Sequence, residues 1–544
     1  MSYGSSYHHA ALLYSGHPES RAFRAAALSL EPFTLIIRSL PVRPAKRISS
    51  PVFSFRRGLL LALLTTVSTL AVAGCGTNLY QFPEYNFAGR PVPPSLLSNR
   101  VMVALTTGVQ GSLQILDAQR DIRNSVYNAN KFFSISGFSG NNPQTILSFP
   151  DELKGYVYTN ASPWNITVIN YGTEAAGGSA AQLNTPSNSF DTSADFVRLY
   201  SAQEETGQLF ISDASLGQTF TLNLPNVYQV YENPGDTVAL AMVRNSNTLY
   251  RVVKLNSNST NPPGAVDCEP TILPVYCVVP VPGTFDRPVK VSYSLDGSTA
   301  YVLNCGAECG GGTNGGSGVS LIPQGSLQIN LIPTSVPYPA VVTKTIPIPG
   351  GVTDALSDGT NLYLAGQQLQ PDGLFAGFET TLPLATLVPA APVSISDGTH
   401  TKMIFGDDNT LWIGSSSCAN GERYSLFAAG NTTQAANYNC LTRAVLPTST
   451  TPLTAAVVPA VNQGSATVAA VPVPYENQNE DPYYYGSLTG ICWVQGLHKM
   501  YTAYGGQVHA FETATGTEIN NQYITVQGTA LDVAYMDANT DTAN

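Results

Sequence analysis

One unit recurs along the chain and limits what it can become. Its clearest copy is Val289-Lys-Val-Ser-Tyr-Ser-Leu-Asp-Gly-Ser-Thr-Ala-Tyr-Val-Leu-Asn304, two alternating runs around Asp296-Gly297. Alternation of apolar and polar residues is the pattern of half-buried strands. The Asp-Gly pair marks a tight hairpin, because glycine takes positive φ without steric cost. Weaker copies lie at Phe149–Asn160, Gly207–Asn223, Asn245–Val253, Asp358–Ala365, Asp407–Gly414 and Leu497–Phe511. Self-similarity of this kind builds a ring of blades or a solenoid. The two ends of the repeat region choose the ring. Ala530–Asp537 reads as a first, inner strand lacking a second; Val101–Ala104 and Ser112–Leu116 read as a second and third lacking a first. Joining them completes one blade and leaves no open edge.

Ser294-Leu-Asp-Gly297 followed by Tyr301-Val-Leu-Asn304 resembles the repeat of YVTN-type β-propellers, with the family's proline and threonine replaced. The resemblance covers most of residues 100–537. It implies an all-β propeller of seven or eight four-stranded blades, and the unit count, composite included, favours eight. It also implies interaction through loops, with protein or polysaccharide partners. Such motifs specify fold far better than function. Two insertions interrupt the repeat: the glycine-rich Gly306–Gly318, and Thr451–Glu480, rich in Ala, Val and Pro, with room for an outer strand and a long loop.

The segment before the repeats has a different chemistry. Residues 1–74 hold eight basic and two acidic residues, and Gly58–Gly74 is uncharged and apolar. That run is short for a membrane span, which wants roughly 20 residues. A basic region, an apolar stretch and small residues at its end read as an export signal. Val72-Ala73-Gly74-Cys75 resembles the lipobox of bacterial lipoproteins, in which the cysteine becomes the lipidated amino terminus; a signal-anchor helix with a chance cysteine is the alternative. The resemblance makes Cys75 the lipidation site. Two or more acyl chains, palmitate among them, anchor stably where one binds marginally. Gly76 stands where an inner-membrane retention signal has Asp, so the outer membrane is expected in a cell with two membranes. The expected organisation is an unstructured extension over 1–51, with Val52 a plausible true start; a signal peptide over 52–74; a proline-containing tether over 75–99; the propeller over 100–537; and a disordered tail over 538–544.

Removing residues 1–74 takes the whole-chain net charge of −11 to −17, with 17 basic and 34 acidic residues. A nucleic-acid partner would want a basic face. Adhesion of the domain itself to an anionic bilayer is disfavoured for the same reason, which leaves the acyl chains on Cys75 as the membrane attachment. A monomer is expected.

Past an export signal the compartment permits disulfides. Sequence proximity suggests Cys268–Cys277, Cys305–Cys309 and Cys418–Cys440, leaving Cys492 free. A cysteine metal site is the weaker alternative, since the spacing is not Cys-x-x-Cys and no nearby histidine completes a ligand set. No nucleophile elbow, zinc-protease motif, Walker loop or dinucleotide fingerprint occurs. No catalytic residue, metal site or cofactor is therefore assigned. His498 and His509 fall on neighbouring strands; Asp296, Asp407 and Asp408 suit turn capping. Asp537–Asp541 starts like a calcium loop but lacks its glycine and distal glutamate. Tyr483, Tyr484, Tyr485 and Trp493 are candidate stacking faces for a ligand, with core packing as the alternative. The expected function is a lipid-anchored binding or scaffold module of the cell envelope. The alternative is a propeller enzyme, a lactonase-like hydrolase or polysaccharide lyase, with its site at the channel mouth.

Overall fold

A computed structural model describes residues 89–124, 133–193, 195–256, 261–272, 275–330, 341–371, 373, 375–417, 440–458, 487–519 and 522–539. Cys75, Cys418 and Tyr483–Tyr485 lie outside these residues, as does the apolar stretch 58–74. Among the described residues no helix is long and apolar enough to cross a membrane.

Eight antiparallel sheets follow one another along the chain, each a blade. The inner strands of blades 1 to 8 are Pro143–Phe149, Ser189–Thr192, Val227–Glu232, Pro288–Tyr293, Gly351–Ser357, Thr399–Gly406, Leu488–Val494 and Thr529–Tyr535. Each pairs outward with the strand that follows it, except in blade 8. There Thr529–Tyr535 pairs with Arg100–Thr106, which pairs with Gly111–Asp117. The carboxy-terminal strand therefore supplies the inner edge of a blade begun by the first two strands, as the unpartnered ends of the repeat region predicted. Blade 3 carries a fifth strand, Asp267–Glu269, at its outer edge.

The second strands read as near-continuous apolar runs because both faces of each blade are covered by neighbours. Val101–Leu105, Tyr156–Tyr158, Ala300–Leu303 and Leu411–Ile413 are buried throughout. Eight hydrophobic clusters fill the eight blade interfaces. One joins Tyr501 and Val494 of blade 7 to Val101 and Val103 of blade 8, and another joins Met102 and Ile115 of blade 8 to Ile146 and Val157 of blade 1. This circular adjacency is what makes the sheets a closed ring.

Local chemistry sets the turns. At the Asp296-Gly297 hairpin, Gly297 has φ +67° and Asp296 Oδ1 accepts the Ser298 N–H at 3.0 Å. The glycine-rich insertion wraps Asp286, whose carboxylate accepts N–H groups of Gly312, Asn314 and Gly316 at 2.9–3.0 Å. A Cβ at Gly311 would lie 2.1 Å from Asp286 Oδ1, so this wrapping needs glycine. These N–H donors hold the Asp286 carboxyl below its ordinary range.

Both boundaries of the propeller are wider than the sequence suggested. Leu97 is buried, and Arg90 donates to the Ala538 carbonyl, so residues 89–99 pack on the domain. Ala538 is buried and the Asn539 N–H donates to Gln495 Oε1 at 2.9 Å. Of the Ala- and Pro-rich insertion, Thr454–Val458 is the outer strand of blade 6.

Candidate functional site at the channel mouth

The inner strands begin at one end of the ring, beside the turns between second and third strands. A cavity of about 850 Å3 opens there. Its wall has a repeating cause. Seven inner strands carry a register shift near their start, placing an extra residue at Gln144, Tyr228, Val289, Thr353, Thr401, Thr489 and Leu531. A bulge leaves one residue unpaired and re-aims its side chain. The first five of these residues line the cavity, and so do Thr145, Gln229, Lys290 and Lys402 directly after four of them.

The lining combines aromatic rings (Tyr158, Phe190, Tyr228 and Tyr231), amides (Gln144, Asn160, Gln229 and Asn245) and four cations: Arg244, Arg287, Lys290 and Lys402. Among the described lining residues there is no Asp or Glu. Two cations are held in place. Lys290 Nζ donates to Asp354 Oδ1 at 2.5 Å, while Arg244 pairs with Glu204 and lies 4.5 Å from the Tyr228 ring centroid. Arg287 Nη2 donates to the Gly310 carbonyl at 3.0 Å, but its Nε is buried without a partner. His400 is fully buried on the same wall; Nε2 contacts Ser396 Oγ at 3.3 Å and Nδ1 has no partner. Burial lowers the His400 pKa to about 4, so the ring is neutral at pH 7.

Acidic groups sit behind this wall. Asp191 Oδ2 accepts the Glu232 N–H and Asp532 Oδ2 the Ile146 N–H, each at 2.8 Å and each from the neighbouring blade. These carboxyls cap edge N–H groups that an inner strand leaves unpaired. Burial pushes Asp191 up to about 7 and also raises Asp532. Burial, together with the nearby Asp236 and Asp191 carboxyls, pushes Glu232 up to about 12, so it stays protonated.

Of the described residues that the sequence suggested for disulfides or ligand stacking, only Cys309 lines the cavity. Trp493 is half-buried against the blade 6–7 cluster, with its indole N–H buried and unpartnered. Cys268–Cys277 and Cys305–Cys309 are disulfides; Cys440 is disulfide-bonded and Cys492 is free and buried. Cys309 lies on the cavity wall. His498 and His509 turn to different partners, Asp408 and Glu518, at 2.9 and 2.8 Å. The Asp407 carboxylate accepts N–H groups of Gly496 and His498, clasping blade 7, in place of the turn capping expected of it. Asp537, the last residue of the expected inner strand, pairs with Arg100 at 2.6 Å. Among the described residues no group of three or more His, Cys, Asp or Glu is arranged to hold a metal. The mouth residues themselves carried one signal in the sequence, a polar or charged residue near the start of an otherwise apolar strand.

No family model matches the chain, and no curated protein matches it. Similar solved structures include dihydro-heme d1 dehydrogenase NirN in complex with DHE, at TM-score 0.47 and 12% identity, over 84% of this chain and 82% of that one. Kuenenia stuttgartiensis hydrazine synthase is similar at TM-score 0.40 and 13% identity, over 69% and 96%. The Dos1 propeller is similar at TM-score 0.42 and 9% identity, over 73% and 87%. At these values none of their activities carries over to this chain.

Proposed function

We propose that the chain is an exported, lipid-anchored β-propeller of the cell envelope that binds its ligand at the channel mouth. The carrying observation is the cavity of about 850 Å3, walled by bulge residues, rings, amides and cations. Its volume lies within the roughly 300–1,000 Å3 of small-ligand sites. Rigid blades presenting side chains from strand starts suit recognition. The two described disulfide pairs fit an oxidising compartment. Anchoring rests on the lipobox-like Val72–Cys75.

Each half of the proposal has its own test. Cys75→Ser is expected to abolish labelling with radioactive palmitate and to release the protein from membranes; unchanged labelling sinks the anchor. For binding, a thermal-shift panel of neutral and acidic oligosaccharides and short peptides is expected to contain stabilisers, since a ligand at 100 times its Kd adds about 2.7 kcal/mol. A panel with no stabiliser counts against the binding role. The enzyme reading needs metal carboxylates or a His/Arg/Tyr cluster converging on the channel; the described lining residues hold no carboxylate but do include His400, Arg244, Arg287 and Tyr228.

A further inference from the structure

We propose that the channel mouth selects an acidic saccharide, a short uronate-bearing oligosaccharide whose carboxylates meet Lys402 and Arg287. This rests on the binding role above and names its ligand class.

The first observation is charge placement. The chain after residue 74 has a net charge of −17, yet the described cavity lining holds four cations and no carboxylate. Carboxylates lie behind the wall, buried against backbone N–H groups. A local cationic focus in an acidic protein concentrates anions where the overall field would repel them.

The second observation is which cations are uncommitted. Lys290 and Arg244 have carboxylate partners. Lys402 is half-buried and faces the Asp532 charge, but among the described residues its ammonium has no ion pair or hydrogen bond. Among the described residues the Arg287 Nε is buried without a partner. An unsatisfied buried donor is costly, and a carboxylate relieves it with a charge-assisted bond.

The third observation selects a sugar. Tyr228 and Tyr231 are half-buried aromatic residues on the wall, while Gln229 and Asn160 offer amides that both donate and accept, as hydroxyl groups require. A smaller polycarboxylate would use the cations and leave the rings and amides idle.

The test is titration calorimetry of the full chain in detergent with trigalacturonate, maltotriose and citrate. Trigalacturonate is expected to bind about tenfold or more tightly than either comparison, and more weakly as salt is raised from about 50 to about 500 mM. Lys402→Gln is expected to weaken trigalacturonate about tenfold with an unchanged melting temperature, while Lys344→Gln on an outer strand leaves binding intact. Equal affinity for maltotriose overturns charge selection but leaves a saccharide-binding module. Citrate binding as tightly as trigalacturonate overturns the sugar. Unchanged affinity in Lys402→Gln overturns the site. Absence of trigalacturonate binding overturns the proposal, whereas the binding role itself stands or falls with the wider thermal-shift panel.

Discussion

Arg100 and Asp537 lie 437 residues apart and clasp the ring shut. The Arg100 N–H and Nη2 donate to the two oxygens of Asp537 at 2.7 and 2.6 Å. Arg100 Nη1 reaches on to the Tyr171 carbonyl and Glu174 Oε1, tying blade 8 to blade 1. The side chain of Arg100 is only 3% exposed, so loss of a partner leaves a desolvated charge. Asp537→Ala is expected to destabilise the fold by about 3–5 kcal/mol, read by denaturant unfolding. A loss below about 1 kcal/mol, the level of an exposed pair, contradicts closure by this clasp.

His400 makes stability depend on pH. Its folded pKa of about 4 lies below the unfolded value near 6.5. Between those values the unfolded chain holds a proton that the native chain does not. The contribution is therefore full above pH 6.5 and is lost as pH falls toward 4. Asp191 and Glu379, both pushed up to about 7 by burial, act in the opposite direction over part of this window. Comparison with His400→Gln isolates the histidine: between pH 7 and 5 the wild type is expected to lose about 2 kcal/mol more than the variant. Parallel pH profiles contradict the buried neutral ring.

The Glu232 carboxyl is kept protonated by burial and by the nearby Asp236, which pairs with Arg198 at 2.8 Å. Glu232→Gln keeps a neutral donor and is expected to change stability by less than about 1 kcal/mol. Asp236→Ala removes the nearer of two carboxylates facing Arg198, leaving Asp213 at 3.9 Å, and is expected to cost about 2 kcal/mol. Equal costs in thermal unfolding contradict the assignment of protons.

The two described disulfides close loops of different size. Cys268–Cys277 spans nine residues and Cys305–Cys309 four. Replacing the first pair by serine is expected to cost about 2–3 kcal/mol and the second pair less, from the loop-closure entropy each restores to the unfolded chain. Urea midpoints with the opposite order contradict this.

Much of the ring was legible in the sequence, because its rules are local. Asp296-Gly297 announces its hairpin, and Ala530–Asp537 announces an inner strand in search of a blade. The glycines of 306–318 announced a loop but not its purpose, since Asp286, which they wrap, precedes them by a whole hairpin. The mouth was illegible for a related reason. Tyr228, Lys290 and Lys402 come from blades 3, 4 and 6, and nothing in their spacing marks them as neighbours. Only ring closure and bulges bring them together. Trp493 illustrates the converse: a conspicuous aromatic residue in sequence packs between blades, where its large apolar surface is best spent.

A crystal structure of the full chain with trigalacturonate tests the central claim most directly. Sugar is expected in the mouth against Tyr228, with one carboxylate within hydrogen-bond reach of Lys402 Nζ and another beside Arg287. Sugar bound only on the outer strands or at the opposite end of the ring contradicts it.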